Sequence, residues 1–140
     1  MELVRPRPRL NVYEQPFWDF VQNRELRLQR CLDCNAFRYP PAGICAGCLS
    51  DRSEWTVISG RGRLLAWVVF HRKYFAELPV PYTVAAVEIE EGPILLANMI
   101  NQGTQPLRLD LPVRLAFETA LDSSGESWLI YQWELEAAEG

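Results

Sequence analysis

From Trp55 onwards the chain alternates apolar and polar positions with a period of two, the signature of strands that bury one face. Five such runs follow one another. They are WTVISGRGRLLAWVVF, with a glycine-marked bend at Gly60 to Gly62, then YTVAAVEIE, ILLANMI, VRLAFETAL and WLIYQWELE. In the second run Thr83, Ala85, Val87 and Ile89 share a face. Val113, Leu115 and Phe117 do so in the fourth, and Leu129, Tyr131, Trp133 and Leu135 in the fifth. The joints EEGP, NQGTQP and DSSGE are rich in turn formers. Five strands with almost no helix between them predict a mainly β chain built on a small closed barrel. The OB-fold is the commonest five-stranded form, and a five-stranded sandwich is the alternative.

Ahead of the barrel the pattern changes. In YEQPFWDFVQNRELRLQ, Pro16 suits the first turn of a helix. Phe17, Phe20 and Val21 fall at i, i+3 and i+4 and form one apolar stripe. Trp18 lies off that stripe, with Gln22 four residues later. So short a helix is marginal alone, which leaves two readings for Phe17 and Trp18: packing on their own domain, or contact with a partner. ELRLQ reads as a short strand leading into Cys31. The preceding RPRPR cannot be helical, and residues 1–11 are expected to be an arm that is disordered or ordered only by a partner. The chain therefore divides into an N-terminal arm and helix (1–24), a cysteine-bearing ribbon (25–54) and the barrel (55–140).

All four cysteines lie within CLDCNAFRYPPAGICAGC, as two Cys-x-x-Cys pairs. Each pair forms a knuckle whose sulfurs converge, and two knuckles supply the four thiolates of a tetrahedral site. Pro40, Pro41 and Gly43 provide the turn between them. Arg30 and Arg38 flank the ligands and are positioned in sequence to offset the formal charge of a divalent ion held by four thiolates. A redox Cys-x-x-Cys would sit at a helix N-terminus beside a strand, and neither pair has that context. The expected metal site is Cys31, Cys34, Cys45 and Cys48, holding zinc, with iron the less favoured ion. Four sulfurs leave no open position for water, so the metal is structural.

Charge then narrows the function. The net charge is −4. Residues 1–75 carry twelve Lys and Arg against seven Asp and Glu, whereas residues 76–140 carry two against eleven. An acidic barrel is a poor match for phosphates, which makes a nucleic-acid-binding ribbon and barrel the runner-up rather than the first reading. A stand-alone iron electron carrier is the third. No run approaches the ~20 apolar residues that span a bilayer, and MELVRPRPRLNVYEQ has no stretch of signal-peptide type, so no membrane contact and a cytoplasmic location are expected. Five tryptophans are more than so small a barrel can enclose, which predicts an exposed apolar patch.

The order FW, LQRCLDC, FRYPPAGIC, C, W…SGRGRL, PVPY, EEGPILLAN and PVRLAFE resembles the acyl-CoA-associated zinc-ribbon/OB-fold family, long catalogued as a domain of unknown function. The resemblance runs from Phe17 to Trp133. It implies an N-terminal helical segment, a rubredoxin-like zinc ribbon and a C-terminal OB-fold. It further implies a non-catalytic accessory subunit of a thiolase-like aldolase or acyltransferase, or of a hot-dog-fold enoyl-CoA hydratase, in steroid or lipid side-chain metabolism. Acyl-CoA would then lie at the subunit interface. Where many members have glycine after the first knuckle this chain has Asn35, a residue that tolerates the left-handed conformation.

No catalytic set is legible. His71, the one histidine, falls in the loop FHRKYFAELPVPY with no partner acid or nucleophile in view. Given the resemblance, Arg61, Arg63, His71, Arg72 and Lys73 are candidate contacts for the phosphates of CoA, provided the bend at Gly60 to Gly62 brings them to one face. The bland alternative is a solvated loop.

Overall fold

The structure is a computed structural model that describes residues 3–76, 78–100 and 106–136. Helix α1, Glu14–Gln22, begins where the Asn11 side chain accepts the N–H groups of Tyr13 and Glu14, at 2.9 and 2.8 Å. This is the local capping for which asparagine is suited. Pro16 lies in the first turn, where its missing N–H costs nothing. Strands β1 (Arg27–Cys31), β2 (Phe37–Arg38) and β3 (Ser53–Val57) form a three-stranded antiparallel sheet with β1 in the centre. Strands β4 (Arg61–Phe70), β5 (Tyr82–Ile89), β6 (Ile94–Ile100), β7 (Pro112–Leu121) and β8 (Ser127–Leu135) form a closed barrel in the order β4-β5-β6-β8-β7. The pairs are antiparallel except β6 with β8. The closing pair is short, Arg61 to Arg63 against Pro112 to Arg114. A closed ring of five excludes the sandwich. No helix among the described residues is long and apolar enough to cross a membrane.

Alternation identifies the barrel interior as expected: Thr83, Ala85, Val87 and Ile89 are all buried. One continuous core joins them to Leu64, Leu95, Val113 and Trp133, and onward to Phe17, Val21, Leu26 and Leu28 of the helix and ribbon. The helix is thus stable because it packs, not by its own propensity.

The first predicted run is two strands. Ser53–Val57 pairs with β1, with Trp55 opposite Gln29, so Trp55 belongs to the ribbon sheet rather than the barrel. The expected boundary at 54/55 therefore falls inside β3. The chain changes sheets over three residues. Ile58 is buried and donates its N–H to the Leu26 carbonyl, Gly60 adopts φ 76°, and its carbonyl receives the Leu115 N–H at 2.7 Å. Gly62 is required on different grounds. A Cβ there would stand 2.5 Å from the Glu88 carbonyl oxygen and 2.6 Å from Val87 Cγ1. Gly62→Ala is expected to lower stability by about 1–3 kcal/mol, read as a lower urea midpoint at unchanged slope.

The arm differs from expectation. Leu3 to Arg7 lies against β7 and β8: Val4 bridges Leu121 in parallel, Leu121 N–H donates to the Leu3 carbonyl, and Arg5 N–H donates to the Leu121 carbonyl. Trp128 Nε1 donates to the Arg5 carbonyl, and the Arg7 guanidinium stacks over the Trp128 ring. Arg7 Nε also reaches the Asp122 carboxylate at 2.6 Å. The extended backbone that proline enforces is what pairs with a free strand edge. Asp122 accepts from the Ser124 hydroxyl and N–H and from the Glu126 N–H as well. The Ser124 hydroxyl, then Arg7, holds this carboxyl well below the usual range. A depressed carboxyl stabilises the fold above its unfolded value of about 4 and loses that contribution as pH falls through its folded value. Asp122→Asn is therefore expected to lower Tm at pH 7. The gap to the unsubstituted protein should shrink steadily below about pH 4, measured by thermal scans across pH.

Candidate metal centre and the surfaces around it

The two knuckles are built alike. In the first, Cys31 N–H donates to the Ala36 carbonyl and Asn35 N–H to the Cys31 carbonyl. In the second, Cys45 N–H donates to the Ser50 carbonyl and Leu49 N–H to the Cys45 carbonyl. Each loop closes through a residue in the left-handed region, Asn35 at φ 65° and Leu49 at φ 64°. Asparagine takes that conformation readily; leucine holds it under strain. The Ser50 hydroxyl and the Asp33 carboxylate hydrogen-bond across the two loops, and Arg52 pairs with Asp33 at 3.6 Å.

The four sulfurs all lie within 4.8 Å of one another. Cys31 Sγ is 3.5 Å from Cys48 Sγ, and Cys34 Sγ is 3.7 Å from Cys45 Sγ. A tetrahedral ion with metal–sulfur bonds of ~2.3 Å needs sulfurs about 3.8 Å apart, so the four residues fit such a site. Their protonation agrees. The Cys34 N–H, foremost among backbone donors, holds the Cys31 thiol down at about 6. At Cys48 the Ser50 N–H acts in the same direction, but the neighbouring sulfurs and burial outweigh it and push the thiol up to about 12. The Cys48 N–H lowers Cys45, while Cys34 ends raised by its neighbouring thiols and burial against the pull of the Ala36 N–H. Four adjacent sulfurs cannot all ionise unaided, and a cation among them removes that conflict.

Arg30 and Arg38 do not serve the sulfurs. Arg30 donates to Asn35 Oδ1 at 2.8 Å and to Glu54 at 2.6 Å. Arg38 donates to Gln29 Oε1, the Ala42 carbonyl and the Ser53 hydroxyl. Arg30 thus ties the first knuckle to β3, and Arg38 ties the ribbon sheet to the loop that leads to the second knuckle.

Of the two readings for Phe17, the partner contact gives way to packing on its own domain. It is 1% exposed and rings with Trp18, Tyr39 and Tyr131. The end of the barrel beside β8 needs a cover, and the helix stripe supplies it. Trp18 is half-buried against Trp128 and Tyr131, beside Gln22, which exchanges two hydrogen bonds with the Leu129 backbone.

The five candidate cations do not form one face. Arg63 stands at the start of β4 and is held by Glu88 and Asp110. His71, Arg72 and Lys73 follow the far end of that ten-residue strand. At about 3.3 Å per residue the two groups are roughly 25 Å apart. The glycines mark the entry to β4 rather than a bend within it. Arg61 and Arg63 also share their cavity of about 360 Å³ with Glu88, Glu90 and Glu136, a poor setting for phosphate. His71 is exposed, with no acidic partner among the described residues.

Comparison with known proteins follows this geometry. Family profiles described as the ChsH2 rubredoxin-like zinc ribbon domain and the ChsH2 C-terminal OB-fold domain match residues 18–54 and 55–118. The chain belongs to this family. A solved structure described as the Ltp2-ChsH2(DUF35) aldolase superposes with a TM-score of 0.83 at 26% identity, covering 94% of this chain and all of that one. The alpha subunit of a 3-oxo-4,17-pregnadiene-20-carboxyl-CoA hydratase from Mycobacterium tuberculosis is 35% identical over 84% of this chain. This chain spans about a third of the length of that relative, 36%. A DUF35 domain-containing scaffold protein from Methanocaldococcus jannaschii is 24% identical over 87% of this chain and 89% of its own.

Proposed function

We propose that this chain is a non-catalytic accessory subunit of an acyl-CoA-processing enzyme, thiolase- or aldolase-like, acting in steroid or lipid side-chain metabolism. The observation that carries the reading is its end-to-end superposition on a chain of a structure described as the Ltp2-ChsH2(DUF35) aldolase, together with the matches to the ChsH2 zinc-ribbon and OB-fold profiles. The likeness to a CoA-ester hydratase subunit points to the same substrate class with a different partner fold. In either case the partner supplies nucleophile and base. This subunit stabilises it and helps to form or cover its acyl-CoA site.

The metal at Cys31, Cys34, Cys45 and Cys48 is zinc in this reading. Its role is to hold two loops that have almost no core of their own. One equivalent of zinc in a colourless purified protein is the expected result; a red protein containing iron would overturn it.

The test of function is affinity capture of the tagged protein from its native cells, with partners identified by mass spectrometry. Recovery of a thiolase-like or hydratase-like enzyme in near-equal amount is expected. Recovery of single-stranded nucleic acid with salt-sensitive binding would instead favour the nucleic-acid module.

A further inference from the structure

The barrel closes incompletely beside β4. Over Ala66 to Phe70, β4 pairs with β5 on one side only. Its other edge is used at Arg61 to Arg63 by β7, and at Leu64 by the backbone of Asp110 and Leu111. Beyond that point no strand follows, and along Ala66 to Phe70 the backbone groups on this side meet no backbone partner among the described residues.

Native proteins protect such an edge with lysine, proline or a short strand. Here the edge is apolar on both faces. Trp67 is 36% exposed, Val68 55% and Val69 41%, and Tyr74 and Phe75 extend the surface. Among the tryptophans of the strands it is Trp67 that contributes to an exposed apolar surface of the kind the sequence predicts. Trp133 and Trp128 are buried, and Trp55 packs on Phe20. Phe70 stacks on Tyr82 and meets Tyr74 edge-on, which stiffens the hairpin end. The tip then carries Arg72 and Lys73, neither of which has an acidic partner among the described residues; Arg72 rests on the Tyr74 ring. A cavity of about 420 Å³ is lined by Val69 and Tyr82 together with Arg5 and Glu118.

We propose that the open edge of β4, Ala66 to Phe70, is where the enzyme partner docks, by laying an extended segment alongside it as an added strand. The proposal rests on the accessory-subunit reading above. The chemistry fixes the segment's character. Its backbone pairs with those groups, and alternate apolar side chains cover Trp67 to Val69. One side chain enters the cavity beside Val69. Carboxylates beyond its end meet Arg72 and Lys73.

The test uses the complex recovered by affinity capture and the purified chain alone. Amide hydrogen exchange at Trp67 to Phe70 is expected to slow at least tenfold in the complex. Val68→Lys is expected to lower the recovered partner about tenfold, whereas Val12→Lys, at a still more exposed position outside the strands, leaves recovery unchanged. If the enzyme is recovered but exchange at Trp67 to Phe70 is the same free and bound, the docking site is wrong and the accessory role stands. If no enzyme is recovered by the unsubstituted chain, both fall. If the purified chain dimerises with those amides protected, the occupant is a second copy and the proposal is overturned.

Discussion

Replacing Cys45 with serine is expected to abolish stoichiometric metal binding and to unfold the ribbon. Structural zinc contributes roughly 10–16 kcal/mol to small zinc domains at neutral pH, comparable to the whole ~5–15 kcal/mol by which an ordinary domain is stable. Little else holds the loops. β2 has two residues, and Leu32, Ile44 and Leu49 lie outside the core, each at least 40% exposed. The loss should not stop there. Leu26 and Leu28 lead directly into Cys31 and belong to the same core as Leu64 and Trp133. The barrel is therefore expected to unfold at lower temperature once the ribbon is released. Elemental analysis with hydrogen exchange resolved by segment reads both effects. A serine variant that keeps one equivalent of metal and the original melting curve would show that Cys45 is not a ligand.

Phe17→Ala is expected to cost about 3–5 kcal/mol, as for other fully buried aromatic residues. For a chain of this size that lowers Tm by roughly 10–17 °C. The alternative assigns Phe17 to a partner surface and predicts an unchanged Tm for the free chain with weaker partner recovery. Thermal unfolding of the isolated variant separates the two. Its position decides the matter in advance of the measurement: Phe17 contacts three aromatic rings of this chain and has almost no surface left to offer.

The features that were legible in the sequence are those with local rules. The spacing of the cysteines encodes converging sulfurs because each knuckle closes within five residues. The period-two alternation encodes the barrel because only one face of each strand is buried; Thr83 to Ile89 shows this residue by residue. Asn35 was legible as a left-handed residue because its side-chain chemistry announces it, whereas Leu49 at the matching position carries no such sign. What was missed depends on long-range partners. RPRPR reads as an arm that is disordered or ordered only by a partner until Asp122 and Trp128, more than a hundred positions later, are seen to receive it. Trp55 alternates in phase with the strand that follows, so periodicity alone cannot reveal that the chain changes sheets between Val57 and Arg61. The grouping of Arg61 and Arg63 with the His71 tip failed for a related reason. A glycine pair signals a departure from regular structure but not its direction, and here the ten-residue strand β4, irregular only between Leu64 and Ala66, runs on past it.

The short passage from β3 to β4 has a consequence for assembly. Ile58 is packed, and the neighbouring backbone bonds to both Leu26 and Leu115, so the ribbon and barrel have no slack between them. A partner that grips both units meets a surface whose parts are already in register. Little orientational entropy between them remains to be lost on binding, and encounter rather than rearrangement sets the rate of association. Lengthening that passage with a few glycines would leave every contact residue in place and still weaken the complex, through faster dissociation of either half.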